Sequence, residues 1–307
     1  MDVFASLTDG VKARGALFGR AVLTPPWALR FATGAELTVV AMLSDHAWLT
    51  AGQERATRLA PGDIALVRGP SPFTVTDRPS ASTGPGPAAY LVTTADYCDP
   101  RARPLAPRTC GEDPGGPASL LGAGYVGGIG EALLQVLPPV LVVPGGPPPL
   151  LDLVTGEVAR RSPGQQVVLD RLLDLLLVST LRSWFERPGA RAPAWYRDTG
   201  DPAVDHALRL LHDDPAHPWT VTRLAAKTGT SRAVLARRFA ARVGEPPMRY
   251  LAGWRIALAA DLLRDTDATV ASIARQVGYA NPFALSVAFK RVHGTTPAQH
   301  RARHNPG

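Results

Sequence analysis

Two cysteines and three methionines supply all the sulfur in 307 residues, which excludes an extracellular scaffold stapled by disulfides. Histidine is just as sparse in the first two thirds, where His46 is the only one before residue 200. A cluster of imidazoles able to hold a catalytic transition metal cannot be built there, so no metal and no cofactor are expected. Long apolar runs are missing too. The most apolar stretch, Leu172–Leu181, is broken or flanked by Asp170, Arg171, Asp174 and Arg182, too short and too charged to cross a bilayer. The first residues carry Asp2, Asp9, Lys12 and Arg14 with no apolar run before them, so a secretory leader is not expected and the cytoplasm is the expected location.

What is present is enough apolar material for two cores, 45% hydrophobic against 19% charged residues. The charge is unevenly shared. From Asp201 onward there are 15 Lys+Arg against 8 Asp+Glu, whereas residues 1–200 carry 18 of each, so the whole excess of +7 sits on the last third. Such a tail suits a polyanion; surface charge kept for solubility is the plainer alternative.

The basic third also repeats itself. Leu224, Ala225, Gly229, Leu235, Phe239 and Gly244 answer to Ile273, Ala274, Gly278, Leu285, Phe289 and Gly294. In each copy a short helix ends at a glycine able to take the positive φ of a tight turn, and a second helix starts at a capping residue, Ser231 or Asn281. A small alanine four residues before the glycine lets the two helices approach, and the Leu/Phe pair lies on one face. Asp201 and Thr220 are expected to cap two further helices. A helix of 19 residues from Pro246 to Arg264 joins the copies, spanning about 28 Å at 1.5 Å per residue.

This constellation resembles the C-terminal domain of the AraC/XylS family of bacterial transcriptional regulators over about residues 200–303. The stretches that carry the likeness are Gly244–Leu251, Trp254–Leu263, Ile273–Tyr279 and Phe289–Pro297. The resemblance implies binding to double-stranded promoter DNA and control of transcription, commonly as an activator that contacts RNA polymerase.

With Leu235 and Phe239 inward, the first reading helix presents Ala233 and Arg237, with Ala236 beside them. Arg237 is the candidate for direct base readout, since a guanidinium pairs bidentately with guanine; a phosphate contact or a surface ion pair is its alternative. Ser231, Arg232 and Arg238 are candidate backbone contacts. The second reading helix shows Phe283 and Val287, where similar proteins often carry a polar or arginine side chain at the latter position. It is expected to position the protein through Asn281, Ser286 and Lys290, or to read thymine methyls; Phe283 folding back into the core is the other option.

Residues 10–95 alternate short apolar runs with Gly/Pro turns, the pattern of a small β-barrel or sandwich, and Ser119–Val126 is a candidate closing strand. Ser80–Ala88 and Cys98–Pro117 are expected as loops. Glu131–Leu137, Leu150–Arg161 and Gln165–Glu186 are predicted helices. In the last, Val168, Leu172, Leu175, Leu176 and Leu181 form a stripe while Leu173 and Leu177 extend it, which suits either packing on the barrel or a homodimer helix. The run Pro61–Phe73 resembles the second strand-turn motif of a cupin barrel, which implies a cupin-like sensor domain. Cys98 and Cys110, with Arg101, Arg103 and Arg108 between them, are either a redox switch or two inert thiols. Trp27, Phe31, Trp48 and Tyr90 are candidates to line a site for a small-molecule effector, or simply core.

The expected fold is α+β: a cupin-like sensor and dimerisation domain at 1–187, a linker at 188–199, and an all-α double helix-turn-helix domain at 200–307. The expected function is sequence-specific transcriptional regulation under a small-molecule or redox signal. A cupin-type enzyme fused to a DNA-binding domain is the rival, disfavoured by the missing histidines.

Overall fold

The computed structural model describes residue 4 and residues 19–79, 90–93, 103–111, 113–125, 129–146, 148–190, 192–196 and 198–304. The chain divides into two compact units, one of residues 11–127 and 137–190, the other of 1–10, 128–136 and 191–307.

The first unit is built on two sheets. Seven strands pair in the order β12-β6-β3-β11-β1-β10-β9, and five in the order β5-β4-β7-β2-β8. The larger sheet holds β1 (Gly19–Leu23), β3 (Leu37–Ser44), β6 (Ile64–Arg68), β9 (Arg103–Ala106), β10 (Thr109–Gly111), β11 (Ala118–Tyr125) and β12 (Val140–Val143). The smaller holds β2 (Ala28–Phe31), β4 (Ala47–Ala51), β5 (Thr57–Leu59), β7 (Phe73–Thr76) and β8 (Tyr90–Val92). Val40 and Met42 of the large sheet share one apolar core with Leu29, Phe31, Leu49 and Val75 of the small one. Each such side chain, once buried, stabilises by about 1.5–3 kcal/mol.

Every residue of β11 is buried, which requires cover on both faces. Helices provide the second cover: the Tyr125 hydroxyl at the end of β11 donates to the Leu173 carbonyl at 2.7 Å. Burial pushes the Tyr125 phenol well above its usual range.

Cys98–Pro117 is not all loop as expected. Arg103–Ala106 and Thr109–Gly111 are strands, and β9 is the edge of its sheet, where Pro104 is tolerated because an edge strand need not donate every N–H. Strand β12 likewise lies outside the segments read as strands from the sequence. Ser80–Ala88 lies outside the described residues.

Helices α1 (Glu131–Val136), α2 (Pro148–Val158) and α3 (Gln165–Phe185) follow. The inward face of α3 is Leu169, Leu173, Leu176, Leu177, Leu181 and Phe185. Val168 and Leu175, two residues of the stripe read from the sequence, are 45% and 52% exposed. The residues thought to extend the stripe are its centre, because the wheel of a helix apolar nearly all round does not say which side meets the sheet.

The second unit is helical: α4 (Pro202–Asp213), α5 (Val221–Lys227), α6 (Arg232–Val243), α7 (Pro247–Asp265), α8 (Val270–Gln276), α9 (Pro282–His293) and α10 (Pro297–His304). Asp201 caps α4 by accepting from the Ala203 and Val204 amides, and Thr220 caps α5 through the Arg223 amide. Among the described residues no helix is long and apolar enough to cross a membrane.

Candidate nucleic-acid interface

Each helix-turn-helix closes on its own small core. In the first copy Leu224 and Ala225 of α5 meet Leu235 and Phe239 of α6, with Val204, Leu208 and Leu211 of α4 beneath. In the second, Ile273, Ala274 and Val277 meet Leu285 and Phe289 with Ile256, Ala260 and Leu263 of α7. The turn glycines Gly229 and Gly278 have φ of +68° and +81°, the left-handed region where a Cβ is penalised. The caps are as expected: Ser231 Oγ accepts from the Val234 amide, and Asn281 Oδ1 accepts from the Ala284 amide at 2.8 Å. Both side-chain oxygens are thus engaged within the protein.

Packing the Leu/Phe pairs inward leaves the opposite faces in water. On α6, Ser231, Arg232, Ala233, Arg237 and Arg238 are exposed and Ala236 is half-buried. Arg238 sits 3.7 Å from Asp201 Oδ2, so its charge is shared with the cap of α4, whereas Arg237 has no ion-pair partner among the described residues. On α9, Phe283 is 78% and Val287 46% exposed; Phe283 does not fold back into the core. Lys290 is exposed, and the Ser286 hydroxyl donates to the Pro282 carbonyl at 2.8 Å.

A feature with no sequence signal fixes the two copies to each other. Arg255, on α7, donates from Nε to the Pro215 carbonyl at 2.7 Å and from Nη2 to the His217 carbonyl at 2.9 Å. The second turn packs against that bolt: a Cβ on Gly278 would lie 2.8 Å from Ala216 backbone atoms and 2.8 Å from Arg255 Nη2. Gly229 has nothing within 4 Å. The second glycine therefore answers two demands and the first only one.

Residues 129–136, far off in sequence, also belong to this unit. The Glu131 amide donates to Asp261 Oδ1 at 2.9 Å, and Arg264 Nη2 donates to the same oxygen at 3.0 Å. Burial outweighs these partners and raises the Asp261 carboxyl to about 6. His293, at the end of α9, lies 3.9 Å from Glu131 Oε1 and stacks on Phe289; burial lowers its pKa. Ala132 packs with Trp254 and Ala257, joined by Trp195. Trp195 and Tyr196, in the segment expected as linker, also flank the ring of Phe4. On Trp254, with ring centroids 4.6 Å apart, lies His212, which is bonded to the Tyr250 hydroxyl at 2.7 Å, and burial lowers its pKa to about 4.

The sensor candidates fare unevenly. Trp27 and Phe31 are 1% and 2% exposed in the inter-sheet core, and Phe31 stacks on Phe73 with centroids 4.7 Å apart; they are core residues. Trp48 and Tyr90 are half-buried. None of the four lines the cavity of about 370 Å³ that opens beside β1 and α2. Cys110, 4% exposed on β10, is disulfide-bonded. Cys98 lies outside the described residues. Among the described residues no group of three or more His, Cys, Asp and Glu could hold a metal ion.

Known proteins resemble this chain in sequence over both of its domains. Residues 2–186 match the family described as Cupin, and residues 224–303 the family described as Helix-turn-helix domain. An AraC-like transcription regulator of Streptomyces lividans is 35% identical over 98% of both chains, and one of Streptomyces antibioticus is 34% identical over all of both. The solved DNA-binding domain of AdpA in complex with a target DNA is 31% identical, covering 34% of this chain and 92% of that one, with a TM-score of 0.32. The chain belongs to the AraC-like transcription regulators, a cupin N-terminal domain followed by a helix-turn-helix DNA-binding domain.

Proposed function

We propose that α6 and α9 enter successive major grooves of promoter DNA, with Arg237 reading a guanine and Phe283 and Val287 reading thymine methyls. The single observation that supports this most is the exposure of those three side chains on helices whose other faces are locked in core. Arg232, Lys290 and the free amide of Asn281 hold phosphates; Ser231 and Ser286 give shape, their hydroxyls being engaged in the helix ends; Ala233 and Ala236 let the backbone of α6 lie close to the bases. Arg238 braces α6 against Asp201 and adds to the positive field. Selection of duplexes from a random pool, followed by footprinting, tests the reading. Two half-sites about one helical turn apart on one face are expected; a single short site would overturn it.

The signal is assigned to residues 1–187, with 188–199 as connector and 200–307 as the DNA reader, apart from Phe4 and residues 129–136 that pack with the reader. A second copy of the chain is the proposed partner of α3, because Val168 and Leu175 lie seven apart on its outer face, and Val167 beside them is 64% exposed. Its oligomeric state is measured by light scattering on the wild type and on Val168→Glu/Leu175→Glu. Oxidation of Cys98 and Cys110 is the proposed redox input, supported by the bonded state of Cys110 on a strand paired to β1 at Ala21. Contact with RNA polymerase in the bacterial cytoplasm rests on the likeness to AraC-like regulators. No catalysis is assigned to the cupin domain.

A further inference from the structure

The cavity of about 370 Å³ lies within the N-terminal unit, between β1, β3 and β11 on one side and α2 on the other. Its size falls in the lower part of the range of about 300–1,000 Å³ that small-molecule sites occupy. The lining is unusual for a packing gap. Arg20 and Asp152 both face it, accompanied by Ser44, Ser119 and Thr155, and Leu43 is the one large apolar side chain among its lining residues.

The two charges do not satisfy each other. Arg20 gives its Nε–H to Ser119 Oγ at 2.8 Å, which orients the guanidinium and leaves its outer N–H groups uncommitted among the described residues. Asp152 has no ion pair or hydrogen bond among the described residues. The Ser44 and Thr155 hydroxyls donate to the Pro117 and Leu151 carbonyls, so the site offers an oriented cation, a separate anion and hydroxyl oxygens that can still accept, which is complementary to a molecule that carries both signs. An apolar effector would strip water from both charges without repaying them, and a simple anion would leave Asp152 repelling it.

We propose that this cavity binds a small zwitterion of the α-amino-acid class, its carboxylate on Arg20 and its ammonium on Asp152. This rests on the reading of the N-terminal domain as a sensor and names the chemistry of what it senses. Occupancy would clamp β1 to α2. The strand β1 pairs with β10 at Ala21 and Cys110, and α2 packs on α3 through the Gln165 side chain, whose amide donates to the Glu157 carbonyl at 2.7 Å. One ligand thus touches both the strand beside the disulfide and the helix assigned to pairing.

The test is calorimetric titration of the full chain, free of DNA, with each of the twenty proteinogenic amino acids, and then with the methyl ester and N-acetyl form of the tightest binder. At least one amino acid is expected to bind. Arg20→Gln and Asp152→Asn should each weaken it about tenfold to a hundredfold. The methyl ester should lose sensitivity to Arg20→Gln, and the N-acetyl form to Asp152→Asn. Asp152 is on an exposed helix face, so Asp152→Asn threatens no fold. Gly156→Leu, at a position whose Cβ would meet nothing within 4 Å, should fill the cavity and abolish binding. No heat from any amino acid, or a binder indifferent to all three variants, overturns the proposal. Binding of inorganic phosphate alone would show an anion site and overturn it equally. Failure of the regulator reading would appear separately, as loss of selected DNA from the ligand-free protein.

Discussion

Replacing Gly278 with alanine, beside the same change at Gly229, isolates how much the junction of the two helix-turn-helix copies contributes. Both glycines are left-handed, at φ +81° and +68°. Alanine pays roughly 1–2 kcal/mol there, partly offset by about 0.4–1 kcal/mol of lost freedom in the unfolded chain. Gly229→Ala adds nothing more, since its Cβ meets open space. It should cost about 1 kcal/mol. At Gly278 the new methyl would press at 2.8 Å on Ala216 backbone and on Arg255 Nη2, and backbone cannot swing aside. To clear it, Arg255 must loosen one or both of its bonds to the Pro215 and His217 carbonyls, each worth about 1 kcal/mol or somewhat more because the donor is charged. The total is about 3 kcal/mol. Urea denaturation followed by the helical signal measures both variants, and anisotropy with a selected duplex measures the DNA consequence. Gly278→Ala should lose affinity for a duplex with two half-sites far more than for one with a single half-site; Gly229→Ala should treat them alike. If the two alanines cost the same within about 0.5 kcal/mol, with no difference on the two duplexes, the bolt has no part in fixing the copies.

Four further outcomes are expected. Arg237→Ala should cost about 1–3 kcal/mol in specific binding and relax preference at one base pair; a selected motif identical to that of the wild type would remove Arg237 from readout. Replacing thymine by uracil in the second half-site should weaken the wild type but not Phe283→Ser, and equal affinities for both duplexes would end the methyl reading. Lys290→Ala should weaken all sequences alike and lower the salt slope by about one, as a log–log titration would report. On acidification two buried groups oppose each other. His212, lowered from 6.5 to about 4, contributes stability that is complete above pH 6.5 and is lost as pH falls to 4. Asp261, raised from 3.8 to about 6, carries a penalty above pH 6 that is relieved as pH falls toward 4. Each amounts to at most about 3 kcal/mol. Melting of Asp261→Asn should therefore fall more steeply between pH 6 and 4 than melting of the wild type; parallel curves would show that Asp261 carries no such penalty.

The helix-turn-helix pair was legible because its rules are local. A cap, a left-handed glycine and a Leu/Phe pair four residues apart all act within a few turns of chain, so Ser231, Gly229, Leu235 and Phe239 declare their roles in order. Which face of α3 meets the sheet was not legible, since Leu169 and Val168 are equally apolar and only the partner decides between them. Strands β9 and β10 were hidden for a related reason. The pairing of β10 with β1 and of β9 with β10 uses backbone groups, which Arg103 and Thr109 possess like any residues. Arg255 and Glu131 act across 38 and 130 positions of chain, a distance at which no spacing rule operates. The charges of Arg20 and Asp152, which do not pair with each other, became meaningful only once a strand and a helix had set them around one space.

The packing of residues 129–136 and Phe4 on the helical unit bears on how the reader can be isolated. A fragment beginning near residue 200 would uncover Trp254 and Ala257, and would leave the Asp261 carboxylate without the amide that now solvates it. Carboxylate and indole would then both meet water on what had been an inner wall. Such a truncate would be stickier and differently titrating than the same helices in the intact chain, so binding constants taken from it would describe another molecule.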